Sequence, residues 1–284
     1  MGIKRSLLSR LSGRARSETP PRVLWRHAQW PARSIERFVV SFPKSGRTWL
    51  RALLGAAEAH RRGANVEVEV ARWLAQEVPI LAGGGVLFTH GLSDAPDEPD
   101  EHLDLFQRYV GGHRRLFLVR DPRDVVVSYY HQKVQREDRP AGVPGSLAEF
   151  VRHPRWGIDR ICAFLVACRR GLREGSGPAM LLTYEELHAD TAGSLARAVA
   201  FFGAADTSPE GLRAAVEYAS FENLHRLEVA STPEIDPEAR KTRKGRVGTH
   251  REELAAEDLR WVEARMAERL PREMGYGVGR APSR

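Results

Sequence analysis

The chain has 284 residues, 42% of them hydrophobic and 29% charged, which suits one large α/β domain with a full core and excludes a disordered chain. A formal net charge of +7 favours anionic ligands, but no Lys/Arg stripe is interleaved with aromatic residues, so no nucleic-acid partner is expected. No apolar run approaches the roughly 18 residues of a membrane span, so none is expected either.

The opening stretch, "MGIKRSLLSRLSGRARSE", is basic and lacks the apolar centre of a secretory signal. Residues 1–30 are read as a poorly ordered basic arm, with a membrane surface or a partner as candidate contacts, and residues 31–284 as the folded domain. Cys162 and Cys168 lie in an apolar helical stretch with no metal-ligand spacing. They read as core thiols of a reducing, cytoplasmic compartment. The Arg/Ala-rich composition suggests a bacterial, GC-rich source.

The apolar run Phe38-Val39-Val40-Ser41-Phe42 predicts a buried strand that Pro43 stops. A helix follows from about Ser45 to His60. "GGGVLFTH" predicts a glycine turn and a second strand ending at His90. Residues 93–106 read as an acidic, Pro-punctuated surface loop entering a helix, and "HRRLFLVR" as a third strand ending at Arg120. Asp121-Pro122 then caps and starts a helix, and "SLAEF" has the spacing of a capping box. "GIDRICAFLVACRRGL" predicts an amphipathic helix and "AMLLTYEEL" a fourth strand with a polar end. Two more helices, a long polar loop over 231–250 and a last helix complete the chain. This alternation implies a single P-loop-like α/β domain: a central, mainly parallel sheet flanked by helices on both faces.

In such a sheet, ligands bind outside the carboxyl ends of the strands. The loop "PKSGRT" sits at such an end. Gly46 permits close backbone approach, first-turn N–H groups favour an anion, and Lys44, Ser45 and Thr48 add donors. A phosphate-like ligand fits these features; an ordinary turn is the alternative. The order is not that of a Walker A loop, because lysine precedes the only glycine, and no magnesium site is predicted.

Here the residues resemble a family. "SFPKSGRTW" is similar to the 5′-phosphosulfate loop, Y-P-K-S-G-T-T-W, of sulfotransferases that use PAPS (3′-phosphoadenosine-5′-phosphosulfate). "LVRDPRDVVVSYYH" resembles the family's 3′-phosphate segment, which puts Arg120 and Ser128 on that phosphate; pairing of Arg120 with Asp121 or Asp124 is the other reading. "LLTYEEL" resembles a segment whose tyrosine contacts the base, giving that role to Tyr184. "ASFENL" resembles one whose phenylalanine packs on adenine, so Phe221 would form an aromatic slot with Trp49. "TRKGRVG" resembles R-K-G-x-x-G, so Arg243, Lys244 and Gly245 would close over the 3′-phosphate. The resemblance spans about residues 36–277 and implies PAPS as co-substrate, with Lys44, Ser45, Gly46, Arg47, Thr48 and Trp49 at its 5′ end and no metal.

"LFTHG" matches the family's K-T-H segment, which makes His90 the base, and Lys44 and Ser128 complete the implied catalytic set. The family lysine two residues before the histidine is Phe88 here, Arg47 stands where threonine is usual, and the family's D-W-K and F-T-V residues become Thr249-His250-Arg251 and Leu254-Ala255-Ala256. The implied reaction is in-line displacement at sulfur, with His90 removing a proton from the hydroxyl or amine of a small-molecule, carbohydrate or lipid acceptor. Segments 66–82, 129–145 and 228–242, which carry Trp73, Leu74, Tyr130 and Val134, are its candidate walls. A P-loop kinase and a non-catalytic nucleotide-binding protein are the alternatives.

Overall fold

The computed structural model describes residues 35–76, 78–91, 110–136, 141–234, 240, 242, 244–271 and 274–276. The basic arm, the acidic loop and Arg243 lie outside them. Glu36–Arg284 forms one compact unit.

In chain order the elements begin with β1 (Arg37–Ser41), α1 (Arg47–Arg62), α2 (Val66–Ala75), β2 (Ile80–Leu81), β3 (Gly84–Thr89), β4 (Arg114–Val119) and α3 (Pro122–His131), which runs into a π-helical turn at Gln132–Arg136. There follow α4 (Leu147–Arg152), α5 (Ile158–Glu174), β5 (Ala179–Thr183), α6 (Tyr184–Ala189), α7 (Thr191–Phe201) and α8 (Pro209–Tyr218). The last are α9 (Phe221–Ser231), α10 (His250–Glu253) and α11 (Ala256–Arg269).

The strands form one sheet in the order β2-β3-β1-β4-β5. β1 pairs in parallel with β3 and β4, and β4 with β5; the short β2 alone runs antiparallel, against β3. Both faces are covered, as a parallel sheet requires. Val39, Leu116, Leu118, Val86 and Leu182 pack under α1, α2, α7 and α8. On the other face, Phe42 meets Tyr129 of α3 at 5.3 Å and Phe164 of α5 at 5.7 Å. Cys162 and Cys168 are buried free thiols of α5. Burial pushes the Cys162 thiol up to about 12, which removes it as a nucleophile at neutral pH.

Three boundaries differ from the expectations. The fourth strand stops at Thr183 rather than running on through Glu185-Glu186, because Thr183 and Glu186 form a capping box that starts α6: the Glu186 amide donates to Thr183 Oγ1 at 3.0 Å and the Thr183 amide to Glu186 Oε2 at 2.9 Å. Residues 221–231 are helical, opened by Ser220, whose hydroxyl accepts from the Asn223 amide. Residues 66–75 form a helix capped by Asn65 instead of an irregular pocket wall.

That last difference reassigns Trp73. It has no exposed surface, lies edge-on to Phe88, and packs where a Cβ on Gly55 of α1 would come within 2.9 Å of its ring. Trp73 is a core residue. Trp73→Ala should therefore cost about 3–5 kcal/mol of stability in denaturant unfolding, and a cost under about 1 kcal/mol would return Trp73 to the pocket wall.

Candidate active site at the sheet edge

Register brings the site together. Val40 lies opposite Thr89, Ser41 opposite Leu118 and Val119 opposite Thr183, so the four parallel strands end nearly level. The residues that follow those ends are Lys44, His90, Arg120 and Tyr184, and one edge of the sheet therefore carries all four.

The loop after β1 is shaped for an anion. Lys44 (φ 69°) and Gly46 (φ 93°) both adopt left-handed backbone. For the lysine this costs of order 1 kcal/mol, which the surroundings must impose. Gly46 caps α1 with no side-chain hydrogen bond, and the first turn holds no acid, so the helix carries no carboxylate of its own against its positive end. Ser45 is buried, Arg47 half-buried and Thr48 exposed. A Cβ on Gly46 would fall 2.6 Å from the Tyr184 ring, so glycine is needed for space as well as for φ.

Arg120 joins these pieces. Its Nη1 donates to the Lys44 carbonyl at 3.3 Å, its Nη2 to the Arg246 carbonyl at 3.0 Å, and its guanidinium lies 4.3 Å from the Tyr184 ring centre. Its Nε is buried without a hydrogen-bond partner among the described residues. Ser128 is half-buried on α3, two helical turns on. Arg120 does pair with Asp124, at 3.4 Å, so the ion pair weighed for it coexists with its contacts to the loops.

Asp124, named from the sequence only as a possible partner of Arg120, does more than that. It has no exposed surface. It accepts from the Gly248 amide at 2.8 Å, the His250 amide at 3.0 Å and His250 Nδ1 at 2.7 Å, besides Arg120. Burial alone would raise its pKa. Hydrogen bonds from His250, the charge of Arg120 and the amides of His250 and Gly248 outweigh burial and hold the carboxyl well below the usual carboxylate range. The signal available was an acid placed immediately before Val125-Val126-Val127, all buried.

His90 donates from Nδ1 to the Ser41 carbonyl at 2.8 Å. A carbonyl only accepts, so the neutral ring carries its proton on Nδ1 and its basic lone pair on Nε2. Phe88, at the place of the family lysine, points into the core, and the Arg51 guanidinium covers its ring at 4.8 Å.

The expected base slot is built in two parts. Trp49 meets Tyr184 at 5.7 Å and His188 at 6.3 Å, and its indole N–H donates to the Ala219 carbonyl at 2.9 Å, two residues before Phe221. Phe221 stacks on His225 at 5.8 Å rather than on Trp49. Gly245 (φ 60°) passes so close to Phe221 that a Cβ there would lie 2.2 Å from the ring. Lys244 bonds Glu252 and Glu253, both at 2.9 Å, so its ammonium is shared with acids of α10. Among the described residues, no group of three His, Cys, Asp or Glu side chains could hold a metal ion, and no helix is long and apolar enough to cross a membrane.

A parallel α/β sheet with a strand–loop–helix seat, an arginine beside it and a histidine on the same edge defines a P-loop-like domain with a site suited to an anionic ligand. The sulfotransferase domain model matches residues 35–273, and the chain belongs to that family. Cytosolic sulfotransferase 12 of Arabidopsis thaliana is 27% identical over 252 residues, 80% of this chain and 74% of its own. Mouse sulfotransferase SULT7A1, solved with PAP, superposes with a TM-score of 0.62 at 18% identity, covering 90% of this chain and 93% of its own. Retinol dehydratase, solved with androsterone and PAP, gives 0.58 at 18% identity, covering 89% and 84%. The reaction class is sulfuryl transfer.

Because Asp124 keeps its charge to lower pH in the folded chain than in the unfolded one, its stabilisation is present above the unfolded value of about 4 and is lost as pH falls below it. Asp124→Asn should cost about 3 kcal/mol at pH 7, and the gap between variant and wild type should narrow below pH 4 in denaturant titrations. A gap independent of pH would contradict the assignment.

Proposed function

We propose that this enzyme transfers the sulfuryl group of PAPS to a hydroxyl (or amine) of an acceptor and releases PAP, adenosine 3′,5′-bisphosphate. One observation carries the reading: Arg120, at the end of β4, bonds the carbonyls of Lys44 and Arg246 and lies over the Tyr184 ring, so its guanidinium is held between the 44–48 and 244–248 loops. A guanidinium fixed there can give a phosphate oxygen charge-assisted hydrogen bonds.

PAPS supplies an activated sulfuryl group on its 5′-phosphate. The amides of Ser45 to Thr48 bind that phosphate. Arg120 and Ser128, with Arg243 and Lys244, bind the 3′-phosphate, and Trp49, Tyr184 and Phe221 face the base. His90 takes the acceptor proton on Nε2 as the acceptor oxygen bonds to sulfur. Lys44 stabilises the charge left on the phosphate oxygen as its bond to sulfur breaks. Fixed donors of this kind supply the electrostatic stabilisation. A small-molecule alcohol or phenol is the favoured acceptor class, because the retinol dehydratase structure carries androsterone; carbohydrate and lipid hydroxyls are the other candidates. The two buried free thiols fit a cytoplasmic enzyme.

With chelator present, PAP at 100 times its Kd should raise the melting temperature by about 5–10 °C. Adenosine 5′-monophosphate, which lacks only the 3′-phosphate, should raise it far less at the same concentration. Equal shifts, or none, would remove the 3′-phosphate assignment. With an acceptor that wild type uses, His90→Ala should lower kcat by about 100-fold or more while PAP affinity stays within about twofold; unchanged turnover would exclude His90 as the base.

A further inference from the structure

Thr249-His250-Arg251, which stands where the family has D-W-K, packs against Asp124 beside Arg120. His250 is 2% exposed. Its backbone amide and its ring Nδ1 both reach Asp124 Oδ1, at 3.0 and 2.7 Å. Thr249 Oγ1 lies 3.5 Å from the same oxygen, at the outer limit of a hydrogen bond. The second carboxylate oxygen, Oδ2, takes the Gly248 amide at 2.8 Å and Arg120 Nη2 at 3.4 Å. The two oxygens thus face different duties: Oδ1 is gripped by His250, while Oδ2 holds the arginine and the glycine turn beside it.

A carboxylate accepts only, so Nδ1 carries the proton of this bond. Two donors from one residue fix the plane of the Asp124 carboxylate and thereby the place of Oδ2. Arg120 depends on that placement, because its other hydrogen bonds go to backbone carbonyls of two loops, Lys44 and Arg246. His250 Nε2 is buried with no partner among the described residues. A leucine would fill the same space without burying that nitrogen. What the imidazole adds is the second donor to Oδ1.

We propose that His250 is a positioning residue. By gripping Asp124 Oδ1 it holds Oδ2, and through Oδ2 the Arg120 guanidinium and the Gly245–Gly248 turn, in the arrangement that selects a nucleotide bearing a 3′-phosphate. This rests on the reading that Arg120 binds the 3′-phosphate.

The test is calorimetric titration of PAP and of adenosine 5′-monophosphate into wild type, His250→Leu and His250→Asn. The asparagine amide can place a donor near the position of Nδ1. His250→Leu should weaken PAP about 10- to 30-fold and adenosine 5′-monophosphate less than about twofold. His250→Asn should restore the PAP preference to within about threefold of wild type. Parallel losses for both nucleotides, no loss for either, or failure of the asparagine to restore the preference would overturn the proposal. If the leucine variant does not fold, His250→Gln, whose longer amide cannot occupy the Nδ1 position, is judged by the same criterion. A wild type that binds the two nucleotides equally would overturn the 3′-phosphate reading itself, an outcome visible before any variant is made.

Discussion

A carboxylate with no exposed surface must be met by donors, and at Asp124 this requirement organises the site. Its own helix cannot supply them: Asp124 lies in the first turn of α3, and its donors come from the preceding strand end and from the far end of the chain. Meeting Oδ2 places Arg120 and the Gly248 amide side by side. Meeting Oδ1 draws His250, and with it the start of α10, onto the sheet. The long loop after α9 is therefore anchored at the strand ends, and its glycine at 245 is laid across Phe221. One buried charge thus joins segments that lie more than a hundred residues apart.

The sheet contributes the second constraint. Parallel strands in level register present their carboxyl ends as a row, so each following residue becomes a site residue by position alone. Close packing then narrows what each place accepts. Tyr184 occupies the space under Gly46, Trp49 leans on Tyr184, and Arg120 covers the tyrosine ring. The left-handed backbone at Lys44 is held in part by the bond its carbonyl accepts from Arg120. An anion bound to Arg120 and an anion bound to the loop amides would share one rigid frame.

The strands β1, β3 and β4 and the helices α1, α3 and α5 were legible in the sequence because strands buried on both faces are nearly continuous apolar runs and the helices carry clear caps and stripes. The end of β5 is ambiguous in the sequence, because Thr183-x-x-Glu186 reads equally as the polar end of a strand and as the capping box that it is. Helix α2 was hidden by its Val-Glu-Val-Glu-Val alternation, which says nothing of Trp73 filling the space left by Gly55. The loop lysine, the strand-end histidine and Arg120 could be placed from motif order. Of Asp124 only the pairing with Arg120 could be named, because two of its donors are backbone amides, which leave no trace in side-chain chemistry. The role of His250 was equally hidden, since it depends on a partner 126 positions away. Lys244, expected on the phosphate, also answers to Glu252 and Glu253, a competition that only the folded loop displays.

If PAPS is bound as proposed, Arg120 meets its 3′-phosphate. The most direct measurement is a crystal structure of the protein with PAP. A 3′-phosphate oxygen within hydrogen-bond distance of the Arg120 guanidinium, the 5′-phosphate on the amides of residues 45–48 and the base between Trp49 and Phe221 are expected. PAP seated with its 5′-phosphate on Arg120, or bound away from this edge of the sheet, would contradict this placement.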